Sequence, residues 1–78
     1  MYARDARNAK HYERLLKRNP NARVGLSLAA AAVYAAQYGR FTSDDAGSAE
    51  WKAVYRRLAR YGDTLSAEEV LSEMQRAK

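Results

Sequence analysis

Residues 24–36 read VGLSLAAAAVYAA, and the fold turns on what that run is. A membrane span needs roughly 20 consecutive apolar residues. This stretch falls short, and six of its members are Ala and one is Ser. Extended from Ala22 to Tyr38 and placed on a wheel at 100° per residue, it is apolar all the way round. Val24, Leu26, Leu28, Val33, Tyr34, Tyr38 and the alanines cover every direction, interrupted by Ser27 and Gln37. A helix with no polar face belongs in the middle of a small domain. Its alanines keep helix propensity high and leave room for close neighbours.

Working outward, the same wheel separates two faces between Asp5 and Arg18. Tyr2, Ala6, Ala9, Tyr12 and Leu16 fall on one side, and Arg4, Arg7, His11, Arg14 and Arg18 on the other, flanked by Lys10 and Lys17. Asn19-Pro20 ends this first helix, because the residue before Pro is pushed out of the α region. Asn19 or Asn21 is then placed to cap the second. In the third helix Gly47, Trp51, Val54, Tyr55, Leu58 and Tyr61 share a face, while Lys52, Arg56 and Arg60 form an i, i+4, i+8 stripe. The fourth, SAEEVLSEMQRAK from Ser66, has Ser66 and Glu69 at capping-box spacing and Leu65 and Val70 as a hydrophobic staple. Ala67, Val70, Leu71, Met74 and Ala77 form its inner face.

Two connections echo each other. Tyr38, Gly39, Ser43 and Asp45 recur in spacing as Tyr61, Gly62, Ser66 and Glu68. Each residue type has a local mechanical role, with Gly at the left-handed position past a helix end, Ser as N-cap and an acid in the first turn. The echo is therefore punctuation, and aligning Ser43 with Ser66 starts the third helix at Ser43. Its first turn lacks the Leu65, Glu69 and Val70 equivalents, so RFTSDD (residues 40–45) is expected to be the looser connection. No segment alternates with period two. The expectation is an all-α chain, a single domain over residues 1–78, packed as a compact bundle of four helices around the Ala-rich second one.

Length and composition narrow the function. A chain of 78 residues hides only about 60% of its unfolded surface, and with no Cys it has neither disulfides nor thiolate metal ligands to add stability. The N-terminal MYARDARNAKHYERLLKR lacks the apolar centre of a secretion signal, which suggests a soluble, cytoplasmic protein. The net charge of +5 is uneven. Residues 1–40 carry eight Lys or Arg against two acids, and residues 63–78 carry two against four. That polarity favours an anionic partner for the N-terminal half. Ten Arg to four Lys, with sixteen Ala, fits GC-rich coding of the kind common in bacteria and their phages.

Catalytic constellations are thin. His11 is the single His and lies among cations with no carboxylate triad nearby. Asp44 and Asp45 lack the alternating ligands of a calcium loop and suit a helix N-terminus. Ala35 and Gly39 have a helix-turn-helix spacing, but the next helix then opens on two acids that phosphates would repel. The aromatic residues fall on apolar faces, away from the Arg residues, which favours packing over base stacking. The sequence thus points to a non-catalytic regulator of gene expression without metal or cofactor, of the small adaptor type that phages and mobile elements carry. Its binding residues are expected to be Arg4, Arg7, Lys10, His11, Arg14, Arg18, Lys52, Arg56 and Arg60. The partner is either an acidic protein surface on a nucleic-acid-processing machine such as RNA polymerase, or nucleic acid itself, tracked through its phosphates.

Overall fold

In a computed structural model, residues 7–77 are described, Arg7 by its backbone alone. Among the described residues there are four α-helices: α1 (Ala9–Arg18), α2 (Leu26–Tyr38), α3 (Ala49–Leu58) and α4 (Ala67–Ala77). A short strand lies ahead of each: β1 (Arg7–Asn8), β2 (Arg23–Gly25), β3 (Arg40–Phe41) and β4 (Thr64–Ser66). A 3-10 turn at Ser43–Gly47 stands between β3 and α3, and a second at Ala59–Tyr61 extends α3.

The Ala-rich run is the centre of the molecule. Seven consecutive residues, Ala29 to Ala35, are buried, and α2 packs against α1, α3 and α4. The other helices bury one stripe each: Tyr12 and Leu16 from α1, Val54 and Leu58 from α3, and Ala67, Val70, Glu73 and Met74 from α4. Leu58, Leu65, Met74, Val33, Val54 and Val70 are the largest side chains sealed completely. Each contributes about 1.5–3 kcal/mol of hydrophobic stabilisation. The radius of gyration is 11.5 Å, matching the roughly 11.5 Å expected of a compact chain of this length.

The strands correct the expectation of helices alone. β1 pairs antiparallel with β3, and β2 with β4. In the second ribbon Val24 faces Leu65, and both are buried between more exposed neighbours. Arg23 ties this ribbon from the outside: its Nε and Nη2 donate to Thr64 Oγ1 at 3.2 and 2.8 Å, and Nη2 also to the Thr64 carbonyl at 3.1 Å. The backbone N–H groups of Ala67 and Glu68 donate to the carbonyls of Ala22 and Pro20 at 2.9 and 3.2 Å, satisfying part of the α4 N-terminus. The ribbon joins the α1–α2 connection to the α3–α4 connection.

Helix starts move accordingly. α1 begins after Asn8, whose side chain accepts from the His11 N–H at 3.0 Å, rather than at Asp5. The part of the expected helix before Arg7, with Tyr2, Arg4 and Ala6, lies outside the described residues. α2 begins at Leu26 rather than Ala22, and neither Asn19 nor Asn21 caps it; its N-cap is Gly25 in extended conformation. α3 starts at Ala49 behind Ser48, whose Oγ accepts from the Trp51 N–H at 3.0 Å. Ser43 is therefore not its cap.

The echo survives in a different register. In the second copy Ser66 Oγ accepts from the Glu69 N–H at 3.1 Å and Glu69 Oε1 accepts from the Ser66 N–H at 2.8 Å, the expected capping box. In the first copy the pair is Thr42 and Asp45. The Thr42 N–H and hydroxyl both donate to Asp45 Oδ2 at 2.9 Å. These bonds hold the Asp45 carboxyl below its ordinary range, with the Thr42 backbone donor the larger cause. RFTSDD is therefore a closed turn rather than an uncapped one. Gly39 (φ 97°) and Gly62 (φ 112°) both take positive φ, as the helix ends required.

Candidate anion-binding surfaces

On α1 the 3.6-residue period sends Tyr12 and Leu16 inward and leaves Lys10, Arg14, Lys17 and Arg18 exposed. None of these four cations pairs with an acid among the described residues. Arg14 and Arg18 are successive turns of one face, with Lys10 a turn before them. His11 is half-buried at the border of this face, its ring edge-on to Tyr12 with centroids 5.1 Å apart. Leu15 also borders it and is 43% exposed. Arg4 and the Arg7 side chain lie outside the described residues.

On α3 Lys52, Arg56 and Arg60 are exposed as the stripe required. The structure does not bring this stripe against the first one. The packing partners of α1 are α2 and α4, and α3 packs on α2. What the structure does bring together was not legible as a stripe. Arg57, Arg60 and Tyr61 from the end of α3, Gln37 from the last turn of α2, and Glu73 and Arg76 from α4 line an open groove of about 780 Å³.

The groove has a defined internal order. The Tyr61 hydroxyl donates to Glu73 Oε2 at 2.5 Å, and Arg76 Nη1 stands 3.6 Å from the same oxygen. Hydrogen bonding to Glu73, reinforced by burial, raises the Tyr61 phenol above its ordinary value. Glu73 is the buried charged residue of the described core. Among the described residues no acid pairs with Arg57 or Arg60. Three Arg residues and one Glu thus line the groove, with Arg76 the one paired to the carboxylate. Arg57 escapes the sequence reading because it sits 100° from the Lys52–Arg56–Arg60 line, and Arg76 because the sequence gives no distance between the ends of α3 and α4.

The aromatic residues form a packed strip. Phe41 stacks on Trp51 with centroids 4.8 Å apart and planes 29° from parallel, Tyr34 meets Phe41 edge-on at 5.7 Å, and Tyr55 lies 6.0 Å from Trp51. The Tyr34 hydroxyl donates to Asp45 Oδ1 at 3.2 Å, and burial, followed by the Asp45 charge, raises its pKa. These rings are engaged with one another, and they join β3 and the 3-10 turn to α2 and α3.

Among the described residues, no group of three or more His, Cys, Asp and Glu converges to hold a metal ion. No described helix is long and apolar enough to cross a membrane. Residues 39–48, with a 3-10 turn inside them, separate α2 from α3. A helix-turn-helix would join them by three or four residues. Comparison with protein-family models, curated proteins and solved structures finds no significant match to this chain.

Proposed function

We propose that the protein is a small non-catalytic regulator that docks through the exposed face of α1 on an acidic protein surface of a nucleic-acid-processing machine, RNA polymerase being the leading candidate. The observation that carries this reading is Leu15, 43% exposed at the edge of the face formed by Lys10, Arg14, Lys17 and Arg18. A phosphate backbone offers an exposed Leu nothing to bury against, whereas protein interfaces combine an apolar contact with a polar rim. The cations add long-range attraction to an acidic partner and set its orientation. The test is affinity capture from the native cell extract with and without nuclease. Nuclease-resistant capture of a polymerase subunit, lost on Arg14→Glu with Arg18→Glu and weakened by Leu15→Ser, is the expected result. Capture that disappears with nuclease and ignores Leu15→Ser would refute it.

Direct binding to nucleic acid is the second reading, favoured by the one-turn spacing of Lys10, Arg14 and Arg18 along an exposed face. Four phosphate contacts from that face predict a log–log salt slope of about −3.6 on duplex DNA. A flat salt response excludes this alternative.

A further inference from the structure

The groove at the ends of α2, α3 and α4 lies apart from the α1 face. Tyr61 and Arg76 are already turned toward Glu73, through the 2.5 Å hydrogen bond and the 3.6 Å ion pair. Arg57 and Arg60 line the same space, and no acid among the described residues answers them. A guanidinium presents its N–H donors in a planar fork that matches two oxygens of a phosphoryl group. Two such residues in a space also lined by Tyr61 and by Gln37, whose amide N–H donates to the Tyr38 hydroxyl at 3.1 Å, give an anchor for charge and neighbours for a polar organic body. The volume, about 780 Å³, falls in the range of roughly 300–1,000 Å³ typical of small-molecule sites.

We propose that this groove binds a phosphate monoester on a body the size of a nucleoside, with Arg57 and Arg60 holding the phosphoryl oxygens and Glu73 holding Tyr61 and Arg76 in place. Glu73 also limits affinity, because its carboxylate repels the incoming anion. Removing that charge while keeping an oxygen that accepts from Tyr61, as Glu73→Gln does, tightens binding. The site goes beyond docking through α1, and the two fail separately, since the α1 test does not involve Arg57.

The experiment is a ¹H–¹⁵N titration of the full chain with adenosine 5′-monophosphate, with adenosine as the probe lacking phosphate. The nucleotide is expected to shift the amides of Gln37, Arg57, Arg60 and Arg76, and adenosine to leave them in place. Arg57→Ala should weaken nucleotide binding by about tenfold or more, as loss of a charge-assisted hydrogen bond does, while Arg56→Ala leaves it unchanged and Glu73→Gln strengthens it. A 5′-phosphorylated oligonucleotide that competes with the nucleotide identifies a nucleic-acid end as the source, and one that does not identifies the free nucleotide; both support a monoester site. Equal competition by the 5′-hydroxyl oligonucleotide, equal shifts with adenosine, absence of shifts at millimolar nucleotide, or equal losses in the Arg56 and Arg57 variants would each overturn the proposal.

Discussion

A leucine scan of α2 tests the claim on which the fold rests, that the middle of this helix has no free face, although Leu28 and Tyr38 at its ends, which the wheel counts among its apolar residues, are exposed. Residues 29–35 are all buried, and at 100° per residue their directions leave no gap wider than about 60°. Replacing Ala29, Ala30, Ala31, Ala32 or Ala35 with Leu adds three carbons to a position 0–5% exposed. Overpacking of that kind costs about 1–3 kcal/mol. The whole domain is expected to hold only about 4–12 kcal/mol, at the usual stability per residue. A melting midpoint moves about 4–8 °C per kcal/mol in a domain of this size, so every one of the five variants should melt visibly lower. Ala31, 5% exposed where the other four are at 0%, should lose least. Thermal unfolding followed by circular dichroism, with urea titration to check that the slope is unchanged, reads the effect. Neutral or stabilising Leu at two positions on one side of the helix would refute the central placement of α2. A loss recurring every 3.6 residues would give the same answer, since that is the signature of a helix with a solvent face.

Other consequences are local. Ser66→Ala removes the acceptor for the Glu69 N–H and should cost about 1 kcal/mol in urea unfolding, whereas Ser43→Ala, at a position that caps no helix, should change little. Gly39→Ala places a Cβ at φ 97°, where an L-residue pays about 1–2 kcal/mol, so the midpoint should fall although nothing lies near enough to clash. Asp45 is held below its ordinary pKa by Thr42. A group depressed in the folded state stabilises fully above its unfolded pKa, about 3.9, and that contribution is lost as the pH falls through the folded value. The drop in melting temperature on acidification below about pH 4 should therefore be smaller in Asp45→Asn than in the parent. Arg23→Met deletes three hydrogen bonds to Thr64 while keeping an apolar stem, and faster amide exchange should appear along β2 and β4 before it appears in α2.

How much of this the sequence reveals depends on how local each feature is. The α2 core, Val54 and Leu58 of α3, Ala67, Val70 and Met74 of α4 and the Ser66–Glu69 box rest on residues within one or two turns of each other, and all are legible. The burial of Glu73 beside Met74 and the exposure of Gly47 and Tyr61, which the wheel places on the inner face of α3, are not. The ribbons are not. RVG runs exposed, buried, exposed and TLS half-buried, buried, half-buried, over three residues each, too short a span for period two to stand out, and the pairing partner of Arg23 is Ser66, 43 positions away. Arg23 to Gly25 thus reads equally well as the first turn of a helix. The echo misleads for a related reason. Matching Tyr-Gly to Tyr-Gly fixes Ser43 opposite Ser66, yet Thr42 can serve a turn one residue earlier, because a 3-10 turn of five residues and a second cap at Ser48 take up the difference. The sequence shows that caps are present without showing how many turns they start.

The groove shows the same limit from the side of function. Cations near a helix C-terminus complement its partial negative charge, so Arg residues at the ends of α3 and α4 need no further role when each helix is read alone. At the end of α3, however, three of them follow closely. Arg56 and Arg57 are in its last turn and Arg60 in the 3-10 turn beyond. The macrodipole amounts to roughly half a charge and fades within one turn, which one exposed Arg satisfies. Arg56 faces outward with Lys52 and can fill that role, whereas Arg57 and Arg60 line the space where Arg76, Tyr61 and Glu73 converge. Like charges gathered in one groove repel, and the cost is lowest when an anion is present. A stability measurement separates the two roles. If Arg57 serves only the helix end, Arg57→Ala lowers the melting temperature equally with and without the nucleotide. If it serves a ligand, the variant is as stable as the parent in the absence of nucleotide, or more so because repulsion is relieved, and it loses the rise in melting temperature that the nucleotide gives the parent through preferential binding to the folded state.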